Sequence, residues 1–252
     1  MTSQFKHLFT PLTIGSFTVR NRIVSTPHHP LFTDPDGLPG SREIAYWVSK
    51  AKGGIGLVET HVHGIHSSIG DVFAQELALQ KFRAAAEAVH EHGACFVGQL
   101  WHPGAQGGAF PQVPWSASAV THPDTWAVPH EMTAAETREV IAGYARGASV
   151  LREAGLDGAE IHGAHGYLIT QFLSPLSNQR DDEYGGDFER RLTFPLQIME
   201  AIRREVGNDW TVGMRISGDE MTEGGYTADD FARMIPFLTA EDQLNYLSVS
   251  VG

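Results

Sequence analysis

His162 and His165 stand three residues apart just past a β-rich run, close enough for both imidazoles to enter one cavity. Two such rings can donate hydrogen bonds to a single carbonyl, carboxylate or nitro oxygen, which polarises a conjugated C=C for hydride attack. Tyr167, two residues on, is a candidate proton donor or substrate ligand. Arg215 and Gln99 close two other β-rich runs, one bringing a fixed positive charge and the other a donor and an acceptor. Each of these has a plainer reading. Arg215 as a salt bridge tying a strand to a loop, Gln99 as a satisfied buried amide, paired histidines bonding loop carbonyls and Tyr167 as a packed aromatic all remain open on the residues alone.

The only cysteine, Cys95, excludes an intrachain disulfide, a thiolate-only zinc site and an iron–sulfur cluster built by this chain, each of which needs several sulfurs. Redox chemistry would then come from a bound organic cofactor. A flavin ring needs positive charge near N1 and O2 and donors and acceptors along its pyrimidine edge, and Arg215 with Gln99 could supply both.

The elements that must position these side chains are short apolar runs: Arg22 to Ser25, Ile55 to Glu59, Ala94 to Leu100, Gly158 to His162, Thr211 to Ile216 and Leu244 to Ser250. Helical stretches alternate with them. Thr133 with Glu136 and Thr227 with Asp230 fit reciprocal capping boxes, and Ser41 and Asp187 are placed to cap two more helices; the helix after Thr133 is expected to run to about Ala154 and stop at Gly155. Repeated βα units give parallel strands, which either a doubly wound sheet or a closed barrel satisfies. Nearly every candidate strand ends in a chemical residue (Pro27-His28-His29, Thr60-His61, Gln99, His162, Arg215), and no single glycine-rich turn gathers the signals. That favours a (β/α)8 barrel with its site on the C-terminal rim, about six βα units of it in this chain, as one domain over residues 1–252. His102 to Pro129 and Ser174 to Gly186 are long enough to be rim loops.

A net charge of −12 and scattered lysines and arginines argue against nucleic acid and anionic membrane partners and for a small-molecule substrate. The N-terminal segment lacks a signal-peptide pattern and no apolar run is long enough to span a bilayer, so the expectation is a soluble, cytoplasmic protein, with a homo-oligomer left open. A rival reading is a metal-dependent hydrolase, with His61, His63, His66, His102, His162 and His165 building a rim metal site. It leaves Gln99 and Arg215 without a task, and the preferred reading assigns no metal.

The segment EIHGAHGYLITQFLSPLSNQRDDEYGGDFERR at 160–191 resembles the signature of the old yellow enzyme family of FMN-dependent NADH:flavin oxidoreductases. HLFTPLTIGSFTVRNRIVSTP at 7–27 is similar to that family's first strand, GQLWHPG at 98–104 to its third and VGMRISGDE at 212–220 to its fifth. The resemblance implies a TIM barrel binding noncovalent FMN, with NADH or NADPH as electron donor. It implies that Thr26, Pro27, His28 and His29 form the loop under the flavin, that Thr60 or His61 makes a backbone contact after strand 2, that Gln99 binds the pyrimidine edge and that Arg215 faces N1 and O2. His162 and His165 match the pair that binds the substrate's activating group.

Pro27-His28 resembles the opening of the branch containing 2,4-dienoyl-CoA reductase and trimethylamine dehydrogenase, whose members add an iron–sulfur cluster and further domains; this sequence carries neither. The amine dehydrogenases attach FMN through a cysteine directly after that Pro-His, where this chain has His29, and use tyrosine where it has His162. Reduction of an activated alkene is therefore favoured over N-demethylation. The family's FMN phosphate is held from strands 7 and 8, which the sequence does not reach, so a fragment, or a remnant unable to hold FMN, is a third expectation.

Overall fold

The computed structural model describes residues 5–107, 113–123 and 125–252. Six strands form one sheet: β1 (Val24–Ser25), β2 (Leu57–Gly64), β3 (Cys95–Trp101), β4 (Gly158–Gly163), β5 (Thr211–Ser217) and β6 (Tyr246–Ser250). Their spatial order follows the chain from β1 to β6, and every neighbouring pair is parallel. A doubly wound sheet reverses its strand order at a switch point. No reversal occurs here, and the architecture is that of consecutive βα units of a (β/α)8 barrel.

Helices α1 (Ser41–Lys52), α2 (Ala78–His90), α3 (Ala134–Glu153), α4 (Leu168–Leu173), α5 (Phe188–Val206) and α6 (Ala228–Leu238) occupy the connections. Their apolar stripes place Trp47, Phe82, Tyr144, Leu151, Leu192 and Ile202 against the sheet in a single continuous core. Both capping boxes form, Asp187 accepts from the Arg190 N–H, and α3 ends beside Gly155, whose φ of +88° suits only glycine at low cost. Ser41 is corrected: it is the first helical residue, Gly40 takes the cap position, and no side chain caps α1.

A hairpin of Leu12–Ile14 and Phe17–Val19 covers the N-terminal end of the sheet. Phe17 and Val19 pack on Leu57 and Val97, and the Thr211 hydroxyl ties the turn to β5 by accepting from the Ser16 N–H and donating to the Ile14 carbonyl.

Three strands depart from the expected bounds by two residues or more, the others by one. β1 is confined to two residues, β6 starts at Tyr246, and β2 continues five residues past Glu59 through a register irregularity between Glu59 and Val62. Thr60 and His61 therefore lie within β2 rather than beyond its tip. Of the first rim loop, residues 108–112 and 124 lie outside the described residues; the rest is braced by pairing of Trp115–Ser116 with His130–Glu131. The second rim loop is fixed by Arg180, which donates to the carbonyls of Ala117 and Met132 and pairs with Asp182. No helix among the described residues is long and apolar enough to cross a membrane.

Candidate active site

A cavity of about 440 Å³ lies at the C-terminal ends of β1 to β5, lined by Thr26, Pro27, His28, His29, His61, Gln99, His162, His165, Tyr167 and Arg215 together with Val62 and Trp101. Of the residues assigned in the sequence to the flavin and the substrate, Thr60 alone is not on its wall. Thr60 is buried, accepts from the Gln99 N–H at 2.9 Å and donates to the His61 carbonyl at 2.8 Å, which staples the irregular stretch of β2 to β3. Val62 was missed because the irregularity shifts the two-residue alternation that the sequence suggests; Trp101, two residues past Gln99, was within reach of that alternation.

The register explains the convergence. His162 pairs with Arg215, Gln99 with Glu160, and Val62 with Gln99, so side chains of one face meet across four neighbouring strands. His162 is 3% exposed, and burial, then the charges of His165 and Arg215, push its pKa down to about 3. It is neutral, and because its Nδ1 accepts the Ala164 N–H at 3.3 Å, the ring proton sits on Nε2. The pKa of His165 is lowered by burial and by the charge of Arg215; its Nε2 is 2.9 Å from the Ser250 hydroxyl, and its backbone N–H donates to Ser217. His165 adopts a φ of +60°, a strained state for a non-glycine residue that orients the ring across His162 at 5.1 Å and 87°. Tyr167 stands edge-on to His162 at 5.0 Å and to Trp101 at 5.4 Å.

Arg215 and Gln99 rest on two carboxylates that the sequence reading did not assign. Arg215 donates through Nε to Glu160 at 3.0 Å and through Nη2 to Glu59 at 3.1 Å, and Gln99 Nε2 donates to the same Glu160 oxygen at 2.7 Å. Glu59 and Glu160 are both buried, and burial lifts both pKa values, Glu59 the further because the Glu160 charge adds to it. Their signal was present in the sequence as acidic residues inside otherwise apolar strands. Two groups remain uncommitted: Gln99 Oε1 is buried without a partner, and Arg215 Nη1 bonds none of the described residues.

At the β1–β2 side, His29 stacks on His61 with centroids 4.5 Å apart and 9° between planes. Thr33 bridges them, and His61 Nδ1 lies 2.6 Å from the buried Glu43. Burial and the neighbouring His61 lower the pKa of His29. His28 bonds the Tyr46 hydroxyl at 2.8 Å. The histidines of the rival metal reading fall in separate places, although His61 and His63 touch with ring centroids 4.3 Å apart. His63 is packed among Phe73 and Phe82 behind the sheet, His66 and His102 meet through Ser68 elsewhere, and no group of three metal-ligating side chains converges among the described residues.

The open positions suit an isoalloxazine edge: Gln99 Oε1 can accept from a ring N–H, and Arg215 Nη1 can face an anionic N1 and O2.

Known proteins share this chain's sequence and fold. The chain is 38% identical over 262 residues to an NADH oxidase of Thermoanaerobacter brockii, covering 99% of this chain and 40% of that relative. It is 35% identical to an NADPH dehydrogenase of a Geobacillus species, covering 97% of this chain and 73% of the relative. The chain thus spans about two fifths of the first relative's length. Among solved structures it superposes on a 2-naphthoyl-CoA reductase with a TM-score of 0.95 at 29% identity, covering 99% of this chain and 41% of that one. It also superposes on morphinone reductase with a TM-score of 0.84 at 27% identity, covering 96% and 73%. The family model matches residues 7–249, and the chain belongs to the NADH:flavin oxidoreductase / NADH oxidase family.

Proposed function

We propose that the cavity holds the isoalloxazine of noncovalent FMN and that this chain carries the reacting face of an NAD(P)H-dependent reductase of activated alkenes. The observation that supports this most is the meeting of Gln99, His162, His165 and Arg215, from three strand ends and one loop, on one cavity wall. When bound, FMN supplies hydride transfer through its N5, taking hydride from NADH or NADPH and delivering it to the substrate.

Gln99 offers its free oxygen to a ring N–H, and Arg215 sets a positive charge against the opposite edge of the pyrimidine. His162, neutral with its proton on Nε2, donates to the substrate's activating oxygen without giving its proton away. His165 completes the pair, and Tyr167, edge-on to both rings, is the candidate donor of the proton that arrives at the substrate's α-carbon, with solvent as the other source. Val62, Trp101 and Pro27 add apolar surface to the cavity wall. His29 contributes a wall and no thiol, so the flavin is held without a covalent link of the cysteinyl type.

One relative favours a second reading. An N,N-dimethylglycine/sarcosine dehydrogenase of Chromohalobacter salexigens is 35% identical over 97% of this chain, although the match covers 37% of that protein. On the same cavity an amine would lose hydride from the carbon beside nitrogen. Product analysis with a cyclic enone and an N-methyl amine separates the two.

The decisive test replaces His162 and His165 together with alanine. Loss of enone turnover with NAD(P)H-driven flavin reduction intact supports the reading. Unchanged enone turnover, or a wild-type protein that takes up no FMN and shows no flavin absorbance, refutes it.

A further inference from the structure

Glu59 and Glu160 enter the sheet interior from β2 and β4, and among the described residues the only cation between them is Arg215. Two ionised carboxylates around one guanidinium would leave a net negative charge in a buried site directly behind the cavity wall. An unbalanced charge isolated there is unfavourable, and binding a proton relieves it. The hydrogen bonds of the two carboxyls are unequal. Glu160 Oε1 accepts from both Gln99 and Arg215, as a carboxylate does, whereas Glu59 receives one bond, from Arg215. The remaining titratable group of this cluster is Tyr246 on β6, whose buried hydroxyl faces Glu160; His162 and His165 lie above Arg215 on the cavity side.

We propose that Glu59 and Glu160 are positioning residues that together retain one proton, carried by Glu59, so that the cluster with Arg215 is neutral and the guanidinium and Gln99 amide are locked with Nη1 and Oε1 left without a partner among the described residues. Burial and the Glu160 charge raise the Glu59 pKa, in agreement. Glu160 is then the sole counterion, and it also dictates which end of the Gln99 amide faces outward. The second half of the proposal rests on the flavin reading of the cavity; the proton does not.

The experiment has two arms, on wild type, Glu59→Gln and Glu160→Gln. Infrared spectra of the ligand-free chain at about neutral pH should show the C=O stretch of a buried protonated carboxyl, lost in Glu59→Gln. Its absence from wild type, or its persistence in Glu59→Gln with loss in Glu160→Gln, overturns the protonation. FMN titration should find Glu59→Gln within about threefold of wild type, because glutamine reproduces a neutral donor, and Glu160→Gln weakened at least about tenfold. The flavin reduction potential of FMN-loaded samples should likewise move in Glu160→Gln and not in Glu59→Gln. Equal effects of the two variants overturn the positioning roles. A wild type that shows the infrared band but takes up no FMN refutes the flavin reading while leaving the shared proton established.

Discussion

Acid should destabilise this fold through His162, and the size of the effect can be worked from its surroundings. The folded pKa is depressed from the ordinary 6.5 to about 3, chiefly by burial. For a histidine shifted in this direction the unfolded chain binds the proton first. The stability contributed by keeping the ring neutral is complete above 6.5 and is lost as pH falls toward 3. Two pH units below the unfolded value, at about pH 4.5, the loss is about 2–3 kcal/mol. His162→Gln removes that proton from the balance. Urea unfolding curves collected between about pH 7 and pH 4.5 should show the variant losing less stability than wild type, its slope smaller by up to about 1.4 kcal/mol per pH unit. Comparing slopes cancels any constant penalty of the substitution, such as the lost acceptor for the Ala164 N–H. His102, with a pKa also near 3, keeps the variant acid-sensitive with the same sign, while Glu59 acts oppositely in both proteins. Parallel curves for variant and wild type would show that His162 titrates normally, and the neutral Nε2 donor assigned to it would fall.

Three further outcomes are expected. Gly213→Ala should cost about 1–3 kcal/mol or more in urea unfolding, because the new methyl would collide with the Tyr246 ring and force β6 outward; wild-type stability would contradict that packing. Thr133→Ala should lower stability by about 1 kcal/mol by opening the capping box with Glu136, which a melting shift of about 2–4 °C would register. Cys95, its thiol pushed up to about 12 by burial and Asp157, should be alkylated by iodoacetamide in the folded protein orders of magnitude more slowly than after denaturation, and equal rates would refute it.

Much of this architecture is legible in the sequence because local rules carry it. Thr133-Glu136, Thr227-Asp230 and Asp187 announce helix starts through atoms only a few residues apart, and the polar ends of β3, β4 and β5 announce the rim. Ser41 misled because a serine before an amphipathic run fits the cap or the first turn equally well, and Gly40 had already taken the extended cap conformation. The bounds of β2 were hidden by its register irregularity, which depends on the Thr60 bond to β3, a partner 39 residues away. Strand pairing across such separations leaves no mark on a one-dimensional pattern.

Glu59 and Glu160 were harder still, because an acidic residue in an apolar strand reads as an edge or an exposed face. Their meaning appears only when the register sets Glu160 beside Gln99 and Arg215 reaches both carboxyls. An apolar filling of similar volume would stabilise such an interior at least as well as a buried ion cluster does. The charged cluster is therefore a poor device for holding the sheet together and a good one for orientation. It fixes an amide and a guanidinium from below, on strands rather than loops, and leaves one polar edge of each unspent. A site that must present an acceptor and a cation at fixed separation to a planar ligand needs such a floor, and the same demand explains why Arg215 is braced at two of its nitrogens and left open at the third.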